Sequence, residues 1–251
     1  MRAVILIVAS RYRLAEGVVV GRRAQASGEL ILALIGPGGA FRAVARGGEQ
    51  PKGRSSRLGL FNHVKFQVYQ KNEQMLPLIT QVELIGSLAG LQQPRRFGAA
   101  GFLGELAFKL ASPEAGAKVW PLLVSGLRGI SQVAEPLVPL VWAGFRILAA
   151  GGLAPRLESC CGHPIQVLLA SGEASCTQCA RGLCWLLVGE AGAALAGILA
   201  LPGKEAVAGL SPESALNLWP VLLGYAQAQL GQLNSAEVLR ALEDSKSALS
   251  E

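Results

Sequence analysis

Aspartate is almost missing from this chain, and Asp244 is the only one in 251 residues. Histidine occurs twice, no HExxH is present, and no pair of carboxylates stands at metal-binding spacing. Nucleases and polymerases that hold two metal ions with acidic clusters are thereby excluded. Charge is sparse at 16%, yet half the chain is hydrophobic, so a packed core is expected and wholesale disorder is not. Aromatics make up only 6%. Long apolar runs are also scarce. The stretch VILIVA at 4–9 is short and is followed by Arg11 and Arg13, unlike a signal peptide with its longer run and small-residue cleavage site. Leu183–Leu201 is longer but carries Glu190 centrally, which at bilayer depth costs several kcal/mol on roughly any scale. A soluble, cytoplasmic protein without a membrane partner is expected.

What charge there is falls at one end. Residues 1–80 hold 12 Lys+Arg against 4 Glu, a net of +8, and the remainder holds 11 against 13, a net of −2. A polyanion-binding module joined to a near-neutral one accounts for this division. Its centre is Phe41–Gln70, FRAVARGGEQPKGRSSRLGLFNHVKFQVYQ, in which Glu49 is the only acid. Phe41, Ala43 and Ala45 alternate with Arg42, Val44 and Arg46, so a strand here sends Arg42 and Arg46 out together. EQPKGRSSR reads as a polar, basic loop without core-forming residues. A second strand then opposes Val64, Phe66 and Val68 to Lys65, Gln67 and Tyr69. The candidate phosphate contacts are Arg22, Arg23, Arg42, Arg46, Lys52, Arg54, Arg57 and Lys65. A solvated basic hairpin is the plainer reading of such a cluster.

Strand patterns at Val18–Arg23, Leu30–Ile35, Phe41–Arg46, Val64–Gln70 and Leu76–Ile85, with Gly-rich corners, predict a small closed barrel of the OB type over 16–83. Residues 1–15 read as an extra strand or a leader. From about Leu84 apolar residues fall at helical spacing over Glu83–Leu91, Phe97–Leu110, Ala115–Ser131 and Leu137–Ala150. The pattern resumes over Leu183–Leu201, Pro212–Gly231 and Ser235–Ala248. SPE at 112–114 and at 211–213 resembles a helix start. The fold class is therefore multi-domain β + α: an amino-terminal barrel, an α-helical domain over 84–150 and 183–251, and a small zinc-finger-like insert at 151–182.

The insert carries Cys160, Cys161, Cys176 and Cys179, within CCGH and CTQC. A CxxC turns the backbone so that both thiolates face one tetrahedral ion. Gly162 and Gly182 suit the tight corners of a knuckle. Adjacent cysteines hold one ion less readily than cysteines two apart, and Cys160 with His163 is an alternative to Cys160 with Cys161. The segment is either a structural Zn2+ site or a decayed knuckle with free thiols. Cys184, at the start of an apolar run, reads as a small core residue of a helix.

Taken together, AFRAVARGG, LGLFNHVKFQVYQ, VSGLRGIS at 124–131 and the CG…CxxC arrangement resemble the RecO family of bacterial recombination mediator proteins. The resemblance runs over nearly the whole chain from Glu16, although the family shows CxxCG where this chain has CCG. It implies a non-enzymatic protein that binds single- and double-stranded DNA and anneals complementary strands. It further implies pairing with RecR, help to RecA in displacing the single-strand-binding protein, and a nucleoid-associated location. Arg42 and Arg46 fall where that family has DNA-contacting cations. Arg128 in GLRG is a candidate for the acidic tail of the single-strand-binding protein through its bidentate fork, or an ordinary helix-surface arginine.

Two other readings compete. A generic OB-fold single-strand binder stacks bases on aromatics, and here Tyr12, Phe41, Phe61, Phe66 and Tyr69 are few, with Phe41 and Phe66 expected inside. A zinc-containing nucleotidyltransferase needs a KxDG lysine, and the chain has none. GILALPGKE at 197–205 misses a P-loop in its spacing and in Glu205, and GPGGAF lacks the third glycine of a dinucleotide fingerprint.

Overall fold

The computed structural model describes residues 11–46, 54–158 and 161–235. The chain divides into two compact units, Met1–Gly36 with Phe41–Ser87, and Pro37–Ala40 with Leu88–Glu251.

In the first unit five strands close into a barrel in the order β1-β2-β3-β5-β4: β1 Tyr12–Ala24, β2 Leu30–Gly36, β3 Gly39–Ala45, β4 His63–Tyr69 and β5 Leu78–Gly86. The ring closes through β1 with β4, and β3 meets β5 in parallel at Val44 and Leu78. Period-2 patterning explains the filling of its interior. Leu30, Leu32 and Leu34 from β2, Ala43 and Ala45 from β3, and Val64, Phe66 and Val68 from β4 are all buried in one core. β1 is longer than the predicted Val18–Arg23, because Tyr12–Gly17 pair with Tyr69–Val64. Its register slips between Val19 and Gly21, a bulge that bends the strand as closure requires. Gly17 and Gly36 stand where a side chain would drive into the carbonyls of Ile35 and Glu16, so the β1–β2 crossing needs both glycines.

The stretch predicted as a basic loop also contains structure. Arg54–Arg57 forms one helical turn, α1, and Leu58 behind it is fully buried in the barrel core. Phe61 follows at φ 63°, a left-handed conformation in which its N–H donates to the Val19 carbonyl at 2.7 Å. A bulky residue there carries backbone strain, offset by burial of the ring at 4% exposure.

The second unit contains α2 Pro94–Leu110, α3 Gly116–Gln132, α4 Leu137–Ala150, α5 Ala191–Ala200, α6 Gly203–Ala208 and α7 Pro212–Leu230. The second SPE motif caps a helix, α7, whereas the first caps the turn before α3, whose own N-cap is Ala115. Ser211 Oγ accepts from the Ser214 N–H at 3.0 Å, and Ser112 Oγ accepts from the Ala115 N–H at 3.2 Å. The Ser112 hydroxyl in turn holds the Glu114 carboxyl below its ordinary range. α4 is the central helix, with Leu140 to Phe145, Ile147 and Leu148 all buried. Gly126 of α3 lets Leu103 of α2 and Ala143 of α4 approach, and Gly144 of α4 receives Leu222 of α7. The glycines of VSGLRGIS are thus packing residues. Arg146 aims its Nη1 at the carbonyls of Ile198 and Leu199 at 3.3 and 3.2 Å, satisfying the last turn of α5. No helix among the described residues is long and apolar enough to cross a membrane.

Three readings of the chain are corrected. Glu83–Leu91 is not a helix: β5 runs to Gly86 and only Ala89–Gln92 turns, as a 3-10 turn. Leu183–Leu201 is not one helix either. Its first part is β8, Cys184–Leu186, which pairs with β6, Val167–Leu169, while β7, Ala174–Ser175, pairs on the other side. Cys184 is consequently a half-buried strand residue, not part of a helix. An apolar run is ambiguous between strand and helix until a partner edge is present. The predicted helix at Ser235–Ala248 lies outside the described residues from 236 onward.

Candidate functional site

The arginines of the barrel do not form one surface. Alternation on β3 leaves Arg42 exposed between buried Ala43 and half-buried Phe41, and Arg46 is exposed just past the strand. On β1, Arg22 sits in register with Leu32 of the core and Arg23 with Ile31. Adjacent residues leave opposite sides of a strand, so Arg23 joins the outer side of β1, β2 and β3 with Arg42 while Arg22 does not. Arg46 is engaged by Glu29, whose carboxylate accepts from Nε at 3.2 Å. This pair is exposed, so solvent screening leaves it weak.

Lys65 faces a different environment. Its cross-strand neighbours are Glu16 on β1 and Glu83 on β5, and Glu16 also meets His63 Nε2 at 2.8 Å. The outer side of β4 is therefore balanced in charge, not cationic. Arg57 uses its Nη1 to donate to the Val82 carbonyl at 2.9 Å and so ties α1 to β5. Lys52 and the side chain of Arg54 lie outside the described residues.

The cysteine segment folds around the hairpin of β6 and β7. Cys176 follows β7 directly and is 2% exposed, while Cys161, His163 and Cys179 are exposed. Cys161 Sγ lies 3.1 Å from His163 Nδ1, 3.5 Å from Cys176 Sγ and 3.5 Å from Cys179 Sγ. The Cys179 N–H points at Cys176 Sγ from 3.4 Å and draws that thiol below its usual range, against the opposing effect of burial. Gln166 Oε1 accepts from the Thr177 hydroxyl at 3.0 Å, pinning the CxxC turn to the residue that precedes β6. Gly162 and Gly182 stand at φ 79° and 83°, the left-handed corners that glycine permits.

Cys161, His163 and Cys176 present their ligand atoms close enough together to hold one metal ion. Tetrahedral coordination at about 2.3 Å places sulfurs ~3.8 Å apart, close to the spacing found here. The donor set fits a soft or borderline cation. Beside Cys161 in this cluster stands His163, expected from the chain only as an alternative ligand to the Cys160–Cys161 pair; Cys160 lies outside the described residues.

The insert is also docked. Trp185 of β8 lays its indole over Gly224 of α7, where any side chain would collide with it. Tyr225 meets Trp185 edge-on at 6.5 Å and donates to the Leu153 carbonyl at 3.3 Å, and Gln229 donates to the Ala170 carbonyl at 2.6 Å. Burial pushes the Tyr225 phenol upward, with Arg156 opposing. Arg128 is exposed on α3. Composition alone gave no signal for the Gly224 seat, which depends on a glycine within an otherwise ordinary apolar helix.

No protein-family model matches the chain. The DNA repair protein RecO of Heliobacterium modesticaldum (strain ATCC 51547 / Ice1) is 29% identical over 159 residues, which is 61% of this chain and 57% of that protein. The DNA repair protein RecO of Thermobifida fusca (strain YX) is 33% identical over 161 residues, 59% of this chain and 64% of that protein. The match thus spans less than two thirds of either relative's length. A β unit followed by helices, with a cysteine-bearing insert among them, thus occurs in a chain that is similar to two RecO DNA repair proteins.

Proposed function

We propose that this protein binds single- and double-stranded DNA through an OB-type barrel and anneals complementary strands without consuming a nucleotide. In this reading it acts with RecR to help RecA onto DNA covered by the single-strand-binding protein, in the cytoplasm at the nucleoid. The observation that carries it is the placement of Arg23 and Arg42 on the outer side of β1–β3, with Arg46 at the end of β3, in a chain similar to RecO proteins. Annealing requires two polyanions to approach, and a cationic surface lowers their repulsion by releasing condensed counterions. The order β1-β2-β3-β5-β4, with α1 between β3 and β4, supports the OB-type assignment.

The cysteine cluster has the chemistry of a structural zinc site, with Cys161, His163, Cys176 and Cys179 as ligands. Zinc there would cross-link the β6–β7 hairpin to the segment before it, and no reaction passes through it. Exposed Arg128 is the candidate contact for the acidic tail of the single-strand-binding protein.

The test is strand annealing by wild type and by Arg42→Ala/Arg46→Ala, with circular dichroism as the folding control. Loss of annealing in a folded variant supports the reading. Wild-type binding without annealing would reduce the protein to a generic single-strand binder, and adenylate transfer from labelled ATP would make it an enzyme.

A further inference from the structure

The outer side of β1, β4 and β5 is organised in cross-strand rows that the arginine surface does not use. Tyr12 stands opposite Tyr69, and Tyr69 opposite Leu78. The next outward-facing row is Leu14, Gln67 and Gln81, and the third is Glu16, Lys65 and Glu83. The two tyrosine rings lie 5.1 Å apart at 48°. Tyr12 is 52% exposed and Leu14 84% exposed, unusual values for large apolar groups on a paired strand. Beside them is a shallow hollow of about 150 Å³ lined by Leu14, Lys65, Gln67 and Gln81 among others.

From this we infer that the Tyr12–Tyr69 pair is a stacking platform for the bases of a single strand, separate from the arginine contacts to its backbone. The inference rests on the proposed DNA binding and adds how single strands are told from duplex. Flat π-faces beside cations are the chemistry that single-strand binders use, and stacking tolerates any base. Lys71, exposed and two residues beyond Tyr69, supplies a cation at the tyrosine end, and Arg11 and Arg13, also exposed, flank Tyr12 from the opposite side of β1. Arg13 is held in place by Gln70, whose Oε1 accepts from Nη2 at 2.7 Å. Gln81 in the adjoining row is exposed and offers an amide donor and acceptor to a base edge. The acids of the third row repel phosphate and set the limit of the track, so it accommodates very few nucleotides. Duplex DNA keeps its bases inside its own stack and gains nothing from the tyrosines.

The experiment is fluorescence-anisotropy binding of the full chain to three probes: a dT oligonucleotide, an abasic strand of the same length, and a duplex. Wild type is compared with Tyr12→Leu/Tyr69→Leu, which keeps apolar bulk on the strands, and with Tyr12→Phe/Tyr69→Phe, which keeps the π-faces. The Leu pair should lose about tenfold in dT affinity and leave the abasic and duplex affinities unchanged, and the Phe pair should restore dT binding. An unchanged dT affinity, or an equal loss on all three probes, would sink the platform while leaving backbone binding intact. Wild type that binds none of the probes would overturn both the platform and the function it rests on.

Discussion

Each cation of the barrel has a role set by its neighbours. Arg57 is a structural donor to β5, Lys65 is flanked by two carboxylates, and Arg46 is shared with Glu29. Glu29→Gln should therefore raise DNA affinity a few-fold at low salt, by freeing the Arg46 guanidinium; an exposed pair is worth at most about 1 kcal/mol, and binding titrations at two salt concentrations would read it. Lys65→Ala should weaken binding less than Arg42→Ala in the same titration. Leu58 makes a contrasting case. It belongs to no periodic strand, yet it is fully buried in the barrel. Leu58→Ala should cost about 2–5 kcal/mol, seen as a lower denaturant midpoint with an unchanged slope.

Among the elements, the small sheet of β6, β7 and β8 is too short to hold itself together, and two anchors compensate. One is the indole of Trp185 over Gly224 of α7, and the other is the cysteine–histidine cluster at the end of β7. Gly224→Ala should displace the indole and destabilise the protein by about 1–3 kcal/mol, with a red shift in tryptophan emission as the readout. If metal holds the cluster, His163→Ala should lower metal content per chain, as measured by atomic emission on purified protein; unchanged metal content would remove His163 from the ligand set. The helices depended less on such anchors. Leu137–Ala150 is bounded as its apolar spacing predicted, because α4 is buried on nearly all sides and nothing competes for it. Leu183–Leu201 was misread for the opposite reason: LCWLL has a strand partner in VLL, far enough away in sequence that no local period registers it.

For the molecule as a whole, the uneven charge sets the expected response to salt. Removing one phosphate-binding cation should reduce the slope of log affinity against log salt by about 0.9 on duplex DNA. Arg42→Ala/Arg46→Ala should therefore flatten the slope by nearly two such steps, whereas the tyrosine variants should leave it unchanged; a salt series on duplex and single-stranded probes separates the two.

The passage from strands to helices, the alternation that turns Arg42 outward and Phe66 inward, the Ser211 cap and the CxxC pair were all readable from residue order. These features are local, fixed by the steric period of a strand, a helix or a tight turn. Folding alone brought Glu29 to Arg46, Glu16 and Glu83 to the flanks of Lys65, and Tyr12 against Tyr69. The window from Phe41 to Gln70 holds one acid, but strands on either side supply others. Barrel closure makes neighbours of residues dozens of positions apart, and the strength of a charge or the use of a ring depends on those neighbours.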